Sequence, residues 1–156
     1  MRRWSRFRRH PAPVGEEGTA SLEFVTAGMI LLLPMVYLVL TMSAIQAGSL
    51  AAEGAARQAV RVYVQAADTR DAEVEAERAL EFALADYGID PSAATLSIAC
   101  SPRPADCLHR RAAVTVSVAV SVRLPLIPTA LAHGGPLAVS LRSTATEQVS
   151  RFWGSR

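Results

Sequence analysis

Hydrophobic and polar positions along this chain change their period twice. From Gly18 to Ile45 the sequence GTASLEFVTAGMILLLPMVYLVLTMSAI is apolar almost throughout, and no charge occurs between Phe24 and Ala52. An apolar helix of ~20 residues crosses a ~30 Å hydrocarbon layer with its backbone groups bonded internally. Pro34 removes one of those bonds and predicts a kink that neighbouring helices tolerate in membranes. Good helix formers then carry the helix on to about Ala67. A second helix follows, with Asp68 as its cap and Asp71 and Glu73 in its first turn. Ala72, Ala76, Ala79, Leu80, Ala83, Leu84 and Tyr87 share one face at helical spacing, and Gly88 ends the run.

After Ile89-Asp90-Pro91 the period falls to two. Leu96, Ile98 and Cys100 alternate with Thr95, Ser97 and Ala99. Val114, Val116, Val118, Val120 and Val122 alternate with small polar neighbours, and Leu137, Val139 and Leu141 oppose Ser140, Arg142 and Thr144. Strict alternation predicts three half-buried antiparallel strands, which need the helices to cover their apolar face. The expected class is α+β: a long helical stem, a second amphipathic helix and a small three-stranded antiparallel sheet. The expected organisation is a leader over 1–18, a membrane and stem helix over 19–67 and a small exported domain over 68–156.

Charge adds orientation. The stretch MRRWSRFRRHPAPVGEEG carries Arg2, Arg3, Arg6, Arg8 and Arg9 against Glu16 and Glu17, so the leader holds more than the whole chain's net charge of +2. Arginines beside a span mark its cytoplasmic side, which places the rest of the chain outside the cytoplasm. The basic balance therefore belongs to the leader, and it argues for no nucleic-acid partner. Pro11, Pro13, Gly15 and Gly18 make that leader a poor helix. An ordinary cleaved signal peptide has a shorter apolar core, and Ser49-Leu50-Ala51 is the nearest small-x-small cleavage candidate.

Glu23 is a lone carboxylate at the lip of the apolar run, where ionised side chains cost a few kcal/mol and mark a partner or a pathway. It does not form a capping box, because Ala20 stands three residues before it. Its plainer role is a carboxylate near a helix N-terminus. Ala44, Gly48, Ala52 and Ala56 recur every four residues, with Ala47, Ala51, Ala55 and Ala59 beside them. Such stripes let helix backbones approach closely. They also arise from ordinary alanine richness, in a chain that uses arginine and no lysine.

Cys100 and Cys107 flank SPRPAD between the first two strands. In an exported domain this spacing predicts a disulfide. A metal reading adds His109 but finds no evident fourth ligand. Glu73, Glu75, Glu77 and Glu81 lack histidine companions and read as a solvated face. The segment LPLIPTALAHGGP, with His133, is apolar yet broken by Pro125, Pro128 and Pro136, so it reads as a loop over the sheet or a contact surface. Phe152 and Trp153 lie between arginines in the tail. No phosphate loop, dinucleotide fingerprint, HExxH or GxSxG motif occurs, so neither an enzyme nor a cofactor is expected.

A basic leader ending in Gly18, Glu23 five residues beyond it and a long apolar helix resemble the processing pattern of type IV prepilins. The form Gly18-Thr-Ala-Ser-Leu-Glu23-Phe, with Pro34 in the span and a Val/Ser-rich β-domain, looks like a TadE-like minor pseudopilin of the Flp/Tad (tight adherence) system. The resemblance implies cleavage between Gly18 and Thr19 by a prepilin peptidase, in a subunit held in the cytoplasmic membrane. It implies that Glu23 pairs with the new Thr19 amine of a neighbouring subunit and sets the register of assembly. The implied partners are the major Flp pilin, other TadE/TadF-like subunits, the inner-membrane assembly platform with its ATPase, and membrane lipid. A pseudopilin of a secretion or DNA-uptake machine shares the same stem. A signal-anchored exported binding domain that never polymerises is the reading from another class.

Overall fold

In the computed structural model the described residues are 19–125 and 137–153. They form α1 (Thr19–Gln65), α2 (Thr69–Ala85), a single 3-10 turn (Pro91–Ala93), β1 (Ala94–Ser101), β2 (Ala113–Arg123) and β3 (Ala138–Gln148). The class is α+β, as the change of period predicts. Two compact units meet within α1: the first ends at Tyr37, and the second runs from Leu38 onward. The second unit therefore takes in the upper half of α1, which the sequence pattern groups with the span.

The first unit contains, among the described residues, only the lower part of α1. The helix runs unbroken through Pro34.

The second unit is built on a sheet of order β1-β2-β3, antiparallel throughout. β2 is central, so neighbours on both sides and helices on one face close over Val114, Val116, Val118, Val120 and Val122, all buried. The inward positions of the edge strands, including Leu96, Ile98, Val139 and Leu141, remain half-buried. β3 continues past the apolar positions that predict it, through Thr144 and Thr146 to Gln148. Its outer face is held by cross-strand hydroxyl contacts, Thr115 to Thr146 at 2.9 Å and Ser117 to Thr144 at 3.0 Å. Val149 then buries itself while its N–H donates to the Ala112 carbonyl at 2.9 Å. Leu137, expected on the inner face of this strand, lies before it and is exposed.

The helices cover the valine face with small side chains. Ala51, Ala52, Ala55, Ala56 and Ala59 of α1 are almost wholly buried, with Val60 and Tyr63 continuing the stripe. Ala72, Ala76, Leu80 and Leu84 of α2 enter the same core. Gly48 marks the closest approach: a Cβ built there would stand 2.2 Å from Val122 Cγ2 and 3.0 Å from Leu141 Cδ1. The stripe Ala44, Gly48, Ala52 and Ala56, which reads in the sequence as a seam for other helices, is thus turned toward the chain's own sheet. Alanine buries little area, but it brings the helix close enough for the valines to make dispersion contacts along it.

The ends of α2 follow from local chemistry. Asp68, in extended conformation, accepts a hydrogen bond from the Asp71 N–H at 2.9 Å. At the other end Gly88 takes φ +65°, its N–H donates to the Ala85 carbonyl, and the Ile89 N–H donates to the Leu84 carbonyl at 3.0 Å. This paired closure is the Schellman arrangement, with half-buried Ile89 packing on the core that contains Leu84. The turn carries Tyr87 out of the helical register, so it is exposed rather than on the buried face its spacing predicts.

Cys100 and Cys107 form a disulfide, with their Cα atoms 5.2 Å apart. It closes the connection between β1 and β2. Both sulfurs are consumed by that bond, which removes the thiolates that a Cys100, Cys107 and His109 metal set requires.

Two glycines of α1 predict opposite effects. Gly48→Ala should lower stability by about 1–2 kcal/mol, because overpacking against Val122 outweighs the gain in helix propensity. Gly54 has nothing within 4 Å of a built Cβ, and Gly54→Ala should raise stability by up to ~1 kcal/mol. Denaturant titration of detergent-solubilised protein compares them. Burial first, and the Glu73 charge second, hold the Tyr63 phenol above its ordinary pKa. The folded state thus retains a proton that the unfolded chain releases near pH ~10. Stability should be level below that pH and fall as pH rises above it. Tyr63→Phe should flatten the alkaline limb in the same titration.

Candidate functional site

The candidate site is the lower part of α1 with its flanking charges. Between Leu22 and Val36, ten large apolar side chains are exposed, Phe24 by 81% and Leu31 by 76%. They point in every direction around the helix, so no one face is set against the rest of the chain. Burying one such side chain stabilises by about 1.5–3 kcal/mol. Leaving ten in water therefore forgoes roughly 15–30 kcal/mol, more than the ~5–15 kcal/mol stability of an ordinary domain. A helix apolar on all sides belongs in a non-aqueous phase or a helical bundle. By length and composition α1 is able to cross a membrane, and a signal sequence passes the same test.

Two threonine hydroxyls on this part of α1 are closed onto the helix itself. Thr26 Oγ1 donates to the Leu22 carbonyl at 2.7 Å, one turn back. Thr41 Oγ1 donates to the Leu38 carbonyl at 2.9 Å. Such back-bonding satisfies a hydroxyl where no water is available. Exposed apolar side chains continue above Tyr37 through Leu38, Val39, Leu40 and Met42. Burial against the chain's own sheet then takes over from Ala44 and Gly48.

Glu23 lies on α1 and is exposed. No acid occupies the first turn of that helix, so the dipole, whose effect fades within one turn, gives Glu23 little support. Thr19 stands four residues earlier, on the same side of the helix one turn away. Gly18, the leader arginines and His10 lie outside the described residues. So do His133 and most of the apolar loop between β2 and β3; at its rim the Leu124 N–H donates to the Leu137 carbonyl at 3.1 Å.

The far end of the second unit carries its polar chemistry. His109 Nδ1 donates to the Asp106 carbonyl at 2.6 Å. Trp153 Nε1 donates to the Ala66 carbonyl at 3.1 Å, and Arg110 Nε donates to the Trp153 carbonyl at the same distance. The tail aromatics therefore separate. Trp153 docks on the core beside the end of α1, while Phe152 stays exposed with the Arg151 guanidinium 4.7 Å from its ring centre. Sequence reasoning leaves these two undivided; the orphan carbonyls at a helix C-terminus are the signal that a nearby indole N–H has a place to go. Glu73, Glu75, Glu77 and Glu81 all face outward on α2, and Glu75 pairs with Arg78 at 2.7 Å.

Comparison with protein-family models, curated proteins and solved structures finds no match for this chain.

Replacing one span residue with a charge tests whether the exposed apolar helix resides in lipid. Leu31→Arg should weaken insertion by about 2.5–3.5 kcal/mol. The fraction of protein retained in alkali-washed membranes measures it, and retention equal to the parent would contradict a membrane location.

Proposed function

We propose that this chain is a TadE-like minor pilin, cut between Gly18 and Thr19 and assembled through the lower part of α1. The observation that carries this reading is Glu23: a carboxylate at the start of an apolar stretch that is free of charge from Phe24 to Ala52, five residues beyond a glycine that ends an arginine-rich leader. A carboxylate in hydrocarbon is costly unless it is paired. Cleavage after Gly18 creates an ammonium at Thr19 with the same need. Pairing the two groups between neighbouring subunits relieves both costs and fixes the axial step between copies. The leader arginines hold the N-terminus on the cytoplasmic side, and the disulfide-closed domain suits the oxidising side of the membrane. The partners on this reading are a prepilin peptidase, the major pilin, related minor subunits and the assembly platform.

One observation favours a second reading. The small-residue seam of α1 is occupied by the chain's own sheet, so the second unit has its core without help from other subunits. An anchored, exported binding domain that never polymerises has the same property.

Glu23→Ala separates the two. On the pilin reading the variant inserts and is cut like the parent, but surface fibres recovered by shearing fall by at least ten-fold, the factor given by losing ~1.4 kcal/mol of pairing. Glu23→Asp restores part of the yield. Parental yield with Glu23→Ala contradicts the register role and favours the anchored domain.

A further inference from the structure

Within the second unit β2 runs antiparallel to the part of α1 that it packs on. At one end Val122 lies against Gly48. At the other, the Val149 N–H donates to the Ala112 carbonyl just before β2, and Trp153 Nε1 donates to the Ala66 carbonyl just past α1. α2 starts at Thr69 beside that upper end and returns, so that Gly88 and Asp90 in the turn after it share a cleft with Arg123 and Ala138. One end of the unit thus gathers the close of α2, the exit of β2 and the entry of β3.

That end is the one nearest the exposed apolar part of α1. Leu38, Val39, Leu40 and Met42 belong to the same unit and are exposed. Met42 lies ~9 Å below Gly48 along the helix, at ~1.5 Å per residue. Leu124, just beyond Val122 on the descending strand, lies up to ~7 Å below it at ~3.3 Å per residue. Its N–H donates to the Leu137 carbonyl at 3.1 Å, which holds Leu137 at the same level. Counted along the sequence, a span of ~20 residues that begins at Phe24 ends near Ser43, next to Met42. Leu124 and Leu137 therefore come down to the height at which α1 leaves the hydrocarbon.

The side chains at this end suit that height. Leu137 is 51% exposed and Tyr87 44%, while Leu124 is half-buried. Arg123, Asp86 and Asp90 are exposed at the same end and carry both signs of charge, so the surface favours an apolar boundary over a purely anionic one. Tyrosine rings belong at the membrane–water boundary, where long side chains bury their stems and keep charged heads in the polar layer. We propose that the lower rim of the second unit, formed by Tyr87, Leu124 and Leu137, inserts into the headgroup–acyl boundary of the membrane that α1 spans. The bilayer then holds the unit by the rim as well as by the helix, and fixes its tilt. The inference rests on the membrane location of α1, which both functional readings share, and needs no polymerisation.

The test uses the full chain in phosphatidylcholine vesicles, with an environment-sensitive fluorophore on one introduced cysteine; Cys100 and Cys107 stay paired. Leu137→Cys and Tyr87→Cys are compared with Ser97→Cys, which its pairing with Ser117 sets ~16 Å above Val122. Both rim sites should give blue-shifted emission. Lipids with a nitroxide near the headgroup should quench them several-fold more than lipids with a nitroxide at the chain end, and neither should quench Ser97→Cys. Rim sites that behave like Ser97→Cys overturn the proposal. So does protection from iodide, present on both sides, without quenching by lipid, because a protein neighbour then covers the rim. Leu31→Cys in the same vesicles should be quenched most by the chain-end nitroxide. Failure there defeats the membrane location itself, and is told apart in this way from failure of the rim alone.

Discussion

The described part of this chain is dominated by apolar helix surface that no other described residue covers. Between Leu22 and Met42 the large apolar side chains of α1 are exposed, and what they forgo in water exceeds the stability of an ordinary domain. That imbalance demands an external apolar phase. The hydroxyls of Thr26 and Thr41, closed onto their own helix, fit such a phase, as does the freedom from charge between Phe24 and Ala52. The same helix changes character at Ala44, where alanine and glycine replace leucine and valine. There it leaves its need for outside cover and becomes one wall of a core.

The core works by closeness rather than by bulk. Five valines of β2 supply the apolar face, and α1 meets them with alanines and with Gly48. A helix bearing leucines at those positions would stand farther from the sheet. The disulfide, the Schellman closure at Gly88 and the docking of Trp153 beside the end of α1 secure a small unit in which the central strand has its whole inward face buried.

Much of this was legible in the residues, and the reasons differ by element. β2 alternates without a fault because it is half of a sandwich between helices and solvent, and a period of two is then unavoidable. Asp68 and Gly88 announce the ends of α2 because capping and left-handed turns use few residue types. The pairing of Cys100 with Cys107 follows from their spacing in a short connection. Tyr87 and Leu137 defeat the pattern for one reason: each continues a periodicity past the point where the chain turns. The lower half of β3 escapes it because its inward residues include Ser143 and Glu147, held by strand pairing rather than by hydrophobicity. The small-residue stripe was visible, but its occupant was not, since alanine spacing states that something approaches closely without stating what. For Glu23 the sequence and the structure carry the same information: a carboxylate at the start of the apolar run, with Thr19 one turn away.

On the proposed reading Gly18–Thr19 is a processing junction that frees an amine for Glu23. The most direct measurement is the intact mass of the protein recovered from native membranes, with and without the host's prepilin peptidase. The account predicts a chain starting at Thr19 that reverts to the uncut form when the peptidase is absent. A start at Met1, or near Leu50 to Ala52, in both strains would contradict it.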